Sequence, residues 1–231
     1  MKKLIFSLIA LCAISFSSFA QSITTANEFF KSVSDYYATI KDYTVNVDIS
    51  IDDRNMACNV LYMAPNKMRM DFSEPQMQTI VYNGSKLICY LPESATVLSQ
   101  DSTIENPATA EGLSLLRRYY SISYEKNSDP VPLVEVTPID DQDEQENLEN
   151  KEMVIKLILW RKTSTESFRN IKIAINPETK LIRQIQAVTP SGVVYKFSFT
   201  NYEINPGLTD KRFEYDIPSG ANTYDNFLFS D

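Results

Sequence analysis

The residue types that carry out most enzymatic chemistry are sparse in this sequence. Its 231 residues include no histidine, which removes His-based catalytic triads, histidine metal ligands and the commonest proton shuttle at neutral pH. Its five glycines do not form a glycine-rich phosphate loop. Carboxylate pairs are available among the 30 acidic residues, but no spacing singles out one pair as an acid and a base. The composition therefore argues against an enzyme and against a bound cofactor or metal ion.

The stretch from Pro65 to Pro92, PNKMRMDFSEPQMQTIVYNGSKLICYLP, indicates a different chemistry, the binding of hydrocarbon. Its first predicted strand alternates apolar and charged residues, with Met68, Met70 and Phe72 on one face and Lys67, Arg69 and Asp71 on the other. This period is typical of an antiparallel strand with one solvated face. Methionine packs adaptably and specifies a core poorly. The pattern therefore fits either the wall of a site for an apolar ligand or an ordinary core.

The secondary-structure signals predict a mainly β protein with two helices. An amphipathic helix over about 25–41 begins with a capping box formed by Thr25 and Glu28. A second helix is predicted over about 107–119, where leucines follow a proline suited to the first helical position. About eleven antiparallel strands account for most of the remaining chain, and Asn83-Gly84 is the strongest of the hairpin signals between them.

Eleven strands, the last predicted at FEYDIP (213–218), cannot remain a flat sheet, because strand twist curls a large sheet toward a barrel. The side chains predicted to contact an apolar ligand are Val60, Tyr62, Met68, Met70, Phe72, Ile88, Tyr90, Ile171, Ile173, Tyr195 and Phe197. Ile175 and Phe199 are also predicted to line the concave face. Leu113, Leu115 and Leu116 of the second helix are predicted to form a lid. From the pattern alone, a filled core and a ligand cavity are equally good interpretations.

The N-terminus has the composition of a secretory signal peptide. Lys2 and Lys3 precede an apolar run, and Ser18-Phe19-Ala20 fits a cleavage site before Gln21. A lipoprotein signal with lipidation at Cys12 is the alternative, although the bulky Leu11 departs from its usual pattern. We therefore expect residues 1–20 to be removed and the mature protein to be periplasmic.

The charge of the mature chain argues against nucleic-acid partners. Loss of the two signal lysines reduces the 22 basic residues to 20, against 30 acidic residues, so the net charge is about −10. Part of the excess lies in an acidic loop predicted over about 138–152, which includes the run DDQDEQENLENKE. A calcium loop is conceivable there, but the run lacks the glycine and the ligand spacing of an EF-hand.

Two cysteines, Cys58 and Cys89, remain after the predicted cleavage. If sequential strands are neighbours, the two residues lie three strands apart, which is roughly 14 Å at the usual interstrand spacing. A disulfide requires Cα atoms within about 7 Å. The sequence therefore predicts two separate thiols.

Several of these motifs resemble the lipoprotein carrier protein family, LolA. The similarity is carried by PNKMRM at 65–70, Pro75, Asn83-Gly84, YLP at 90–92, the strand 182–188 and FEYDIPSGA at 213–221. The two predicted helices also fall where that family has them. The match spans most of the mature chain, although its motifs are short and apolar.

The resemblance implies an unclosed antiparallel β-barrel of about eleven strands covered by two helices. Proteins of the family collect acylated lipoproteins from an inner-membrane lipoprotein-releasing ABC transporter and ferry them through the periplasm to an outer-membrane lipoprotein receptor. The residues after the Pro-Asn turn line the family's cavity, which implies that role for Met68, Met70 and Phe72. On this interpretation, residues 21–231 form a single carrier domain that acts as a monomer.

The sequence departs from the family pattern at two places. Ala64 stands where the family commonly has an arginine that holds the lid helices, so this latch is absent or replaced. Leu159-Trp160 stand where a strand proline is expected. Two other functions stay open: a periplasmic sensor or interaction domain that signals to a protein partner, and a membrane-anchored lipoprotein receptor, which would require lipidation at Cys12.

Overall fold

A large unclosed sheet forms the body of the protein in a computed structural model, which describes residues 24–101, 110–134 and 151–227. The strands are β1 (Asp42–Ile51), β2 (Arg54–Met63), β3 (Lys67–Glu74), β4 (Thr79–Tyr82), β5 (Lys86–Leu91), β6 (Thr96–Asp101), β7 (Tyr120–Tyr124), β8 (Val131–Pro132), β9 (Met153–Arg161), β10 (Asn170–Ile175), β11 (Ile182–Val188), β12 (Val194–Ile204) and β13 (Asn222–Asp225). Two helices, α1 (Ala26–Thr39) and α2 (Ala110–Tyr119), and two short 3-10 helices, Pro92–Ser94 and Asp210–Phe213, complete the described elements.

The strand order is that of an antiparallel meander joined to a second meander. It runs β13-β6-β5-β4-β3-β2-β1-β12-β11-β10-β9-β7, with β8 paired to β9 outside this path. All pairs are antiparallel except β13 with β6, which is parallel. The predicted fold class, an unclosed antiparallel β-barrel with two helices, is therefore confirmed. Among the described residues there are thirteen strands, where about eleven were predicted, and β4, β8 and β13 have four residues or fewer.

Helix α1 begins as its sequence predicts. The Thr25 hydroxyl accepts a hydrogen bond from the Glu28 backbone N–H, and the Glu28 carboxylate accepts one from the Thr25 backbone N–H. These bonds satisfy donors that the first helical turn would otherwise leave unpaired. The apolar side chains of α1 that are fully buried include Phe30 and Val33. The predicted start of the second helix lies outside the described residues.

The register separates the two faces of the sheet. Phe30 and Val33 of α1 pack in one cluster with Leu157, Ile173 and other residues of β9–β11. We call the face that bears these residues the inner face and the opposite face the outer face. Because paired residues of neighbouring strands share a face, the register carries this definition across the whole sheet.

The inner face is covered differently in its two halves. In the second half, β7 and β9–β12, the strand residues form one core with α1, and α2 packs against it. In the first half, β1–β6, the apolar cluster contains residues of β1, β2, β3, β4 and β12, and none of its described members comes from a helix. The helices therefore provide a core for only one half of the sheet.

The segment after β12 covers the outer face of the first half. Phe213 is buried in a small cluster with Leu61 and Val81. The Arg69 guanidinium donates to the backbone oxygens of Arg212 and Glu214, at 3.2 Å each, which fixes the segment over β3. The prediction of a strand at 213–218 was wrong, because this segment packs across the outer face through its side chains. The strand that the chain does form near its end is β13.

Several predictions made from the sequence fall outside the described residues. These are the signal peptide at 1–20 with Cys12, and residues 138–150 of the acidic loop. Neither described helix combines the length and the apolar character that crossing a bilayer requires. Cys58 and Cys89 are both free, and β2, β3, β4 and β5 are sequential neighbours, as the argument for two separate thiols required.

Replacing Phe213 with alanine tests the role of the C-terminal segment. We expect Phe213→Ala to lower the free energy of unfolding by about 3–5 kcal/mol, the usual cost of truncating a buried aromatic side chain. Urea denaturation followed by circular dichroism would measure this. The matched control is Ile217→Ala, since Ile217 lies in the same segment but is 49% exposed and should change the unfolding free energy by less than about 0.5 kcal/mol. Equal effects of the two substitutions would contradict the packing described for this segment.

Candidate functional site

The inner face of the first half presents a continuous apolar surface. Its central row crosses six strands through the paired residues Val45, Val60, Met70, Ile80, Cys89 and Leu98. The next row along the strands contains Val47, Cys58 and Phe72. Neither row contains a charged side chain. The arrangement follows from period-2 alternation, which places the polar residues of the same strands on the outer face.

Burial is uneven along the central row. Val45 and Val60 are buried, whereas Met70, Ile80 and Cys89 are only half-buried. Met68, on the same face of β3, is also half-buried. This part of the inner face therefore combines apolar side chains, low charge and residual exposure, which are the properties of a surface that accepts an apolar ligand.

The predicted ligand-contacting residues divide between the two halves. Val60, Tyr62, Met68, Met70 and Phe72 share the inner face of the first half. Phe197 packs against the same cluster, and Phe199 contacts both the first-half cluster and the helix-covered core. The structure thus brings together six of the residues predicted to contact a ligand and Phe199 of the predicted concave face, while their contact with a ligand stays a prediction.

The remaining inner-face residues of the prediction belong to the helix-covered core. Ile171, Ile173 and Ile175 are buried there with Phe29 and Phe30 of α1. Tyr195 packs against this core and makes an edge contact with Phe168, with the ring centroids 5.8 Å apart. Packing against α1 fills this part of the inner face.

Ile88 and Tyr90 lie on the outer face, which corrects the prediction that they share a face with Met70. Ile88 pairs with Val81, and the Tyr90 ring lies 6.2 Å from that of Tyr215 in the C-terminal segment. The register of the Asn83-Gly84 hairpin explains this, because it pairs even-numbered residues of β4 with odd-numbered residues of β5. The even-numbered residues of β5 therefore lie on the outer face.

The residues that the prediction missed are Ile80, Leu87 and Cys89. Ile80 pairs with Met70 on one side and with Cys89 on the other, so both lie on the inner face. The hairpin signal at Asn83-Gly84 was present in the sequence. Extending the alternation of β3 through that turn would have selected the odd-numbered residues of β5.

Two of the three predicted lid leucines pack on the helix-covered core. Leu113 and Leu116 contact that core, whereas Leu115 is 43% exposed. Helix α2 is fixed at both sides: the Arg117 guanidinium donates to the Asn27 side chain of α1, and Lys162 Nζ donates to the backbone oxygens of Arg117 and Arg118. A lysine at the C-terminal end of a helix also complements the helix dipole.

A tyrosine pair ties α1 to the sheet. The Tyr37 and Tyr202 hydroxyls lie 3.4 Å apart. Tyr37 accepts a hydrogen bond from the Ile182 backbone N–H at 3.0 Å, and Tyr202 donates to the Ile182 backbone oxygen at 2.9 Å. Burial raises the pKa of both tyrosines, so both hydroxyls stay protonated and able to form these bonds.

The two thiols on the inner face are poor nucleophiles. Burial, followed by the negative charges of Asp48 and Asp71, raises the pKa of Cys58 to about 11. Burial also raises the pKa of Cys89. Both side chains therefore act as small apolar groups at neutral pH. Within the described ranges, no group of three or more acidic or cysteine side chains is placed to hold a metal ion.

Two pockets lie away from the central row. One, of about 230 Å³, is on the outer face of β9–β11 and is polar, with the ion pair between Lys172 and Glu125 in its lining. The other, of about 430 Å³, is a groove between the β3–β4 turn and the 3-10 helix after β5. Pro75, Leu91 and Pro92 line it, and Leu91 belongs to the inner face, so this groove adjoins one end of the candidate surface.

Comparison with known proteins supports a LolA-like protein. The model of the family described as "Outer membrane lipoprotein carrier protein LolA" matches residues 57–127, about a third of the chain. The matched stretch contains the half-buried methionines of the inner face. The resemblance inferred from the sequence is therefore confirmed, and the chain is similar to the LolA family over this stretch. A search of curated proteins found no match.

Solved structures share the fold at low identity. A crystal structure described as an uncharacterized conserved protein from Thermus thermophilus matches with a TM-score of 0.55 and 12% identity, over 84% of this chain and 98% of that chain. A chain of the Pseudomonas aeruginosa MucA/MucB complex matches with a TM-score of 0.52 and 8% identity, over 83% of this chain and 61% of that chain. At these identities the likeness establishes the fold alone.

Alkylation kinetics test the environments of the two thiols. At pH 8, a thiol with a pKa of about 11 is ionised in about one molecule in a thousand, against about one in ten for a thiol at the usual 9.0. We expect iodoacetamide to modify Cys89 faster than the more buried Cys58 in the folded protein, and both rates to rise between pH 8 and pH 9.5. Peptide mass spectrometry would measure each site, with the urea-unfolded protein as the control. Modification of Cys58 at the same rate in the folded and unfolded protein would contradict its burial.

Proposed function

We propose that the protein is a periplasmic carrier that binds the acyl chains of lipoproteins on the inner face of β1–β6 and ferries them from the inner to the outer membrane. The observation that supports this function is the half-buried apolar surface around Met68 and Met70 on the half of the sheet that the helix core leaves out. The family model that matches this part of the chain describes a lipoprotein carrier.

The composition of the surface suits cargo that must be both held and released. Each methylene removed from water contributes about 0.8 kcal/mol, so a fully enclosed acyl chain would dissociate very slowly. An unclosed sheet limits how much of the chain is enclosed. Methionine side chains adapt to acyl chains of different shape, because they are unbranched and flexible.

The partners follow from this role. Acylated lipoproteins are the cargo, an inner-membrane lipoprotein-releasing ABC transporter supplies them, and an outer-membrane lipoprotein receptor accepts them. The signal peptide predicted at residues 1–20 would export the protein to the periplasm, where residues 21–231 act as one domain. The carrier is a monomer, and its role requires no chemical catalysis.

Charge substitution on the inner face tests the binding surface. We expect Met68→Glu and Met70→Glu each to lower the affinity for a fluorescent fatty acid or a synthetic lipopeptide by more than about tenfold, because an ionised carboxylate would have to be desolvated beside the acyl chain. Fluorescence titration of delipidated protein would measure the affinity. Circular dichroism and thermal unfolding should show that both variants stay folded, since both methionines are only half-buried.

The matched control is Ser73→Glu. Ser73 lies on the same strand but on the outer face, and it is exposed. The same carboxylate there should leave the affinity within about twofold of the unmodified protein, because it meets water and no acyl chain. Unchanged binding by both methionine variants would contradict the proposal that acyl chains bind to this surface.

A protein-interaction domain is the second candidate, and an exposed aromatic edge favours it. Trp160 of β9 and Tyr119 at the end of α2 are 47% and 41% exposed, and the Arg118 guanidinium lies 5.6 Å from the Tyr119 ring centre. Aromatic and arginine side chains are common anchors of protein interfaces. Native mass spectrometry of protein isolated from its own periplasm separates the two functions. Acylated cargo supports the carrier, whereas one stoichiometric protein partner that is lost in Trp160→Ser, with no lipid, supports the interaction domain.

A further inference from the structure

One end of the candidate surface is polar, although the rest of it is hydrocarbon. The row of inner-face residues at this end crosses the same six strands through Tyr43, Tyr62, Met68, Tyr82, Leu87 and Gln100. The neighbouring row, which contains Val45 and Met70, is apolar throughout. A ligand that lies along the strands would therefore meet phenol hydroxyls at one end only.

Most hydroxyls at this end are already engaged in holding the fold. Tyr62 donates to the backbone oxygen of Pro65 at 3.3 Å, and Tyr82 donates to that of Gly84 at 3.1 Å. These bonds support the β2–β3 and β4–β5 turns. Tyr37 and Tyr202 bond to each other and to Ile182, as described above.

Tyr43 differs from these four residues. Its ring lies 5.0 Å from the Tyr62 ring and 6.0 Å from the Tyr202 ring, but its hydroxyl makes no hydrogen bond to any residue that the structure describes. In the described part of the chain, no fully buried side-chain oxygen or nitrogen lacks a partner. The Tyr43 hydroxyl is therefore not sealed off, and it is a donor available to a ligand.

The surroundings define the ligand group that would accept this bond. Burial raises the pKa of Tyr43, so the phenol is neutral and able to donate at physiological pH. The row that contains Tyr43 has no cation that would select a carboxylate. Arg183, whose charge acts on Tyr37 and Tyr202, is paired with the Glu152 carboxylate. An uncharged hydrogen-bond acceptor at the head of a hydrocarbon chain fits these surroundings. Beyond Tyr43, the inner-face residues of β1 from Val45 to Ile51 are apolar, and the Cα atoms of Tyr43 and Ile51 are about 27 Å apart along the strand.

We propose that the Tyr43 hydroxyl donates a hydrogen bond to the ester or amide carbonyl of a bound acyl chain, and that the surface thereby selects acyl chains over alkyl chains of the same length. This inference rests on the proposed function, because it assigns the head-group chemistry of the same surface. The carbonyl sits at the tyrosine row, and the hydrocarbon extends along the apolar rows.

Ester and ether ligands of equal chain length test the inference. The probes are a dipalmitoyl ester lipopeptide and its dihexadecyl ether counterpart, each titrated into the delipidated protein by displacement of a fluorescent fatty acid. The unmodified protein should bind the ester between about 2-fold and 12-fold more tightly, the range that corresponds to one net neutral hydrogen bond. Tyr43→Phe should remove this preference by weakening the ester and leaving the ether unchanged.

Tyr124→Phe is the matched control, because the Tyr124 hydroxyl donates to the Thr24 backbone oxygen in the helix-covered half, away from the candidate surface. It should retain the ester preference. A diacyl phospholipid and its dialkyl ether counterpart form a second pair of probes, which distinguishes lipoprotein acyl groups from those of free lipid. An ester preference that depends on Tyr43 in either pair supports the inference.

Equal binding of ester and ether in both pairs overturns the inference and leaves the proposed carrier function in place. A preference that persists in Tyr43→Phe also overturns it. Failure of the unmodified protein to bind any of the four probes overturns the carrier function and this inference together. The ester-to-ether ratio of the unmodified protein is measured without any substitution, so the test holds even where Tyr43→Phe does not fold.

Discussion

Antiparallel strands place alternate side chains on opposite faces, and in this protein the apolar members of that alternation share one face from β1 to β12. So large an apolar face must be withdrawn from water for the sheet to be stable. Helix α1 supplies Phe29, Phe30 and Val33, which cover the strands from β9 to β11. In the described structure, the inner face of β1–β6 receives no such helix. The candidate binding surface thus results from a sheet that is wider than its helix cover.

The C-terminal segment packs on the outer face of the half whose inner face has no helix cover. The C-terminal segment inserts Phe213 between Leu61 and Val81 and bonds to the Arg69 guanidinium. These contacts stabilise β2–β4 on their outer face. Methionine packs adaptably and fixes the position of its strand poorly. Packing on the outer face therefore allows the inner face of the same strands to contain half-buried methionines.

Tyrosines at one end of the inner face link the fold to the chemistry of the site. Tyr37 and Tyr202 tie α1 to β11 and β12. Tyr62 and Tyr82 hold the neighbouring turns. On β1, β2 and β4 the inner face changes from a tyrosine to Val45, Val60 and Ile80 within one residue pair. The hydrogen bonds satisfy four of the five tyrosine hydroxyls, and that of Tyr43 remains available at the boundary.

Local patterns in the sequence determined a large part of this structure. The capping box of α1, most of the antiparallel strands, and the face shared by Met68, Met70 and Phe72 follow from short-range periodicity and turn chemistry, which act within a few residues. The absence of histidine in the sequence likewise set limits on catalysis without any structure. The tertiary structure decided which apolar residues are core and which are surface: Ile171 and Ile173 are buried because α1 packs on them, a contact between segments about 140 residues apart. It also placed Ile88 and Tyr90 on the outer face, and Ile80 and Cys89 on the inner face in their stead. The face of a residue depends on the register of every turn between the strands, and a shift of one residue moves it to the opposite face.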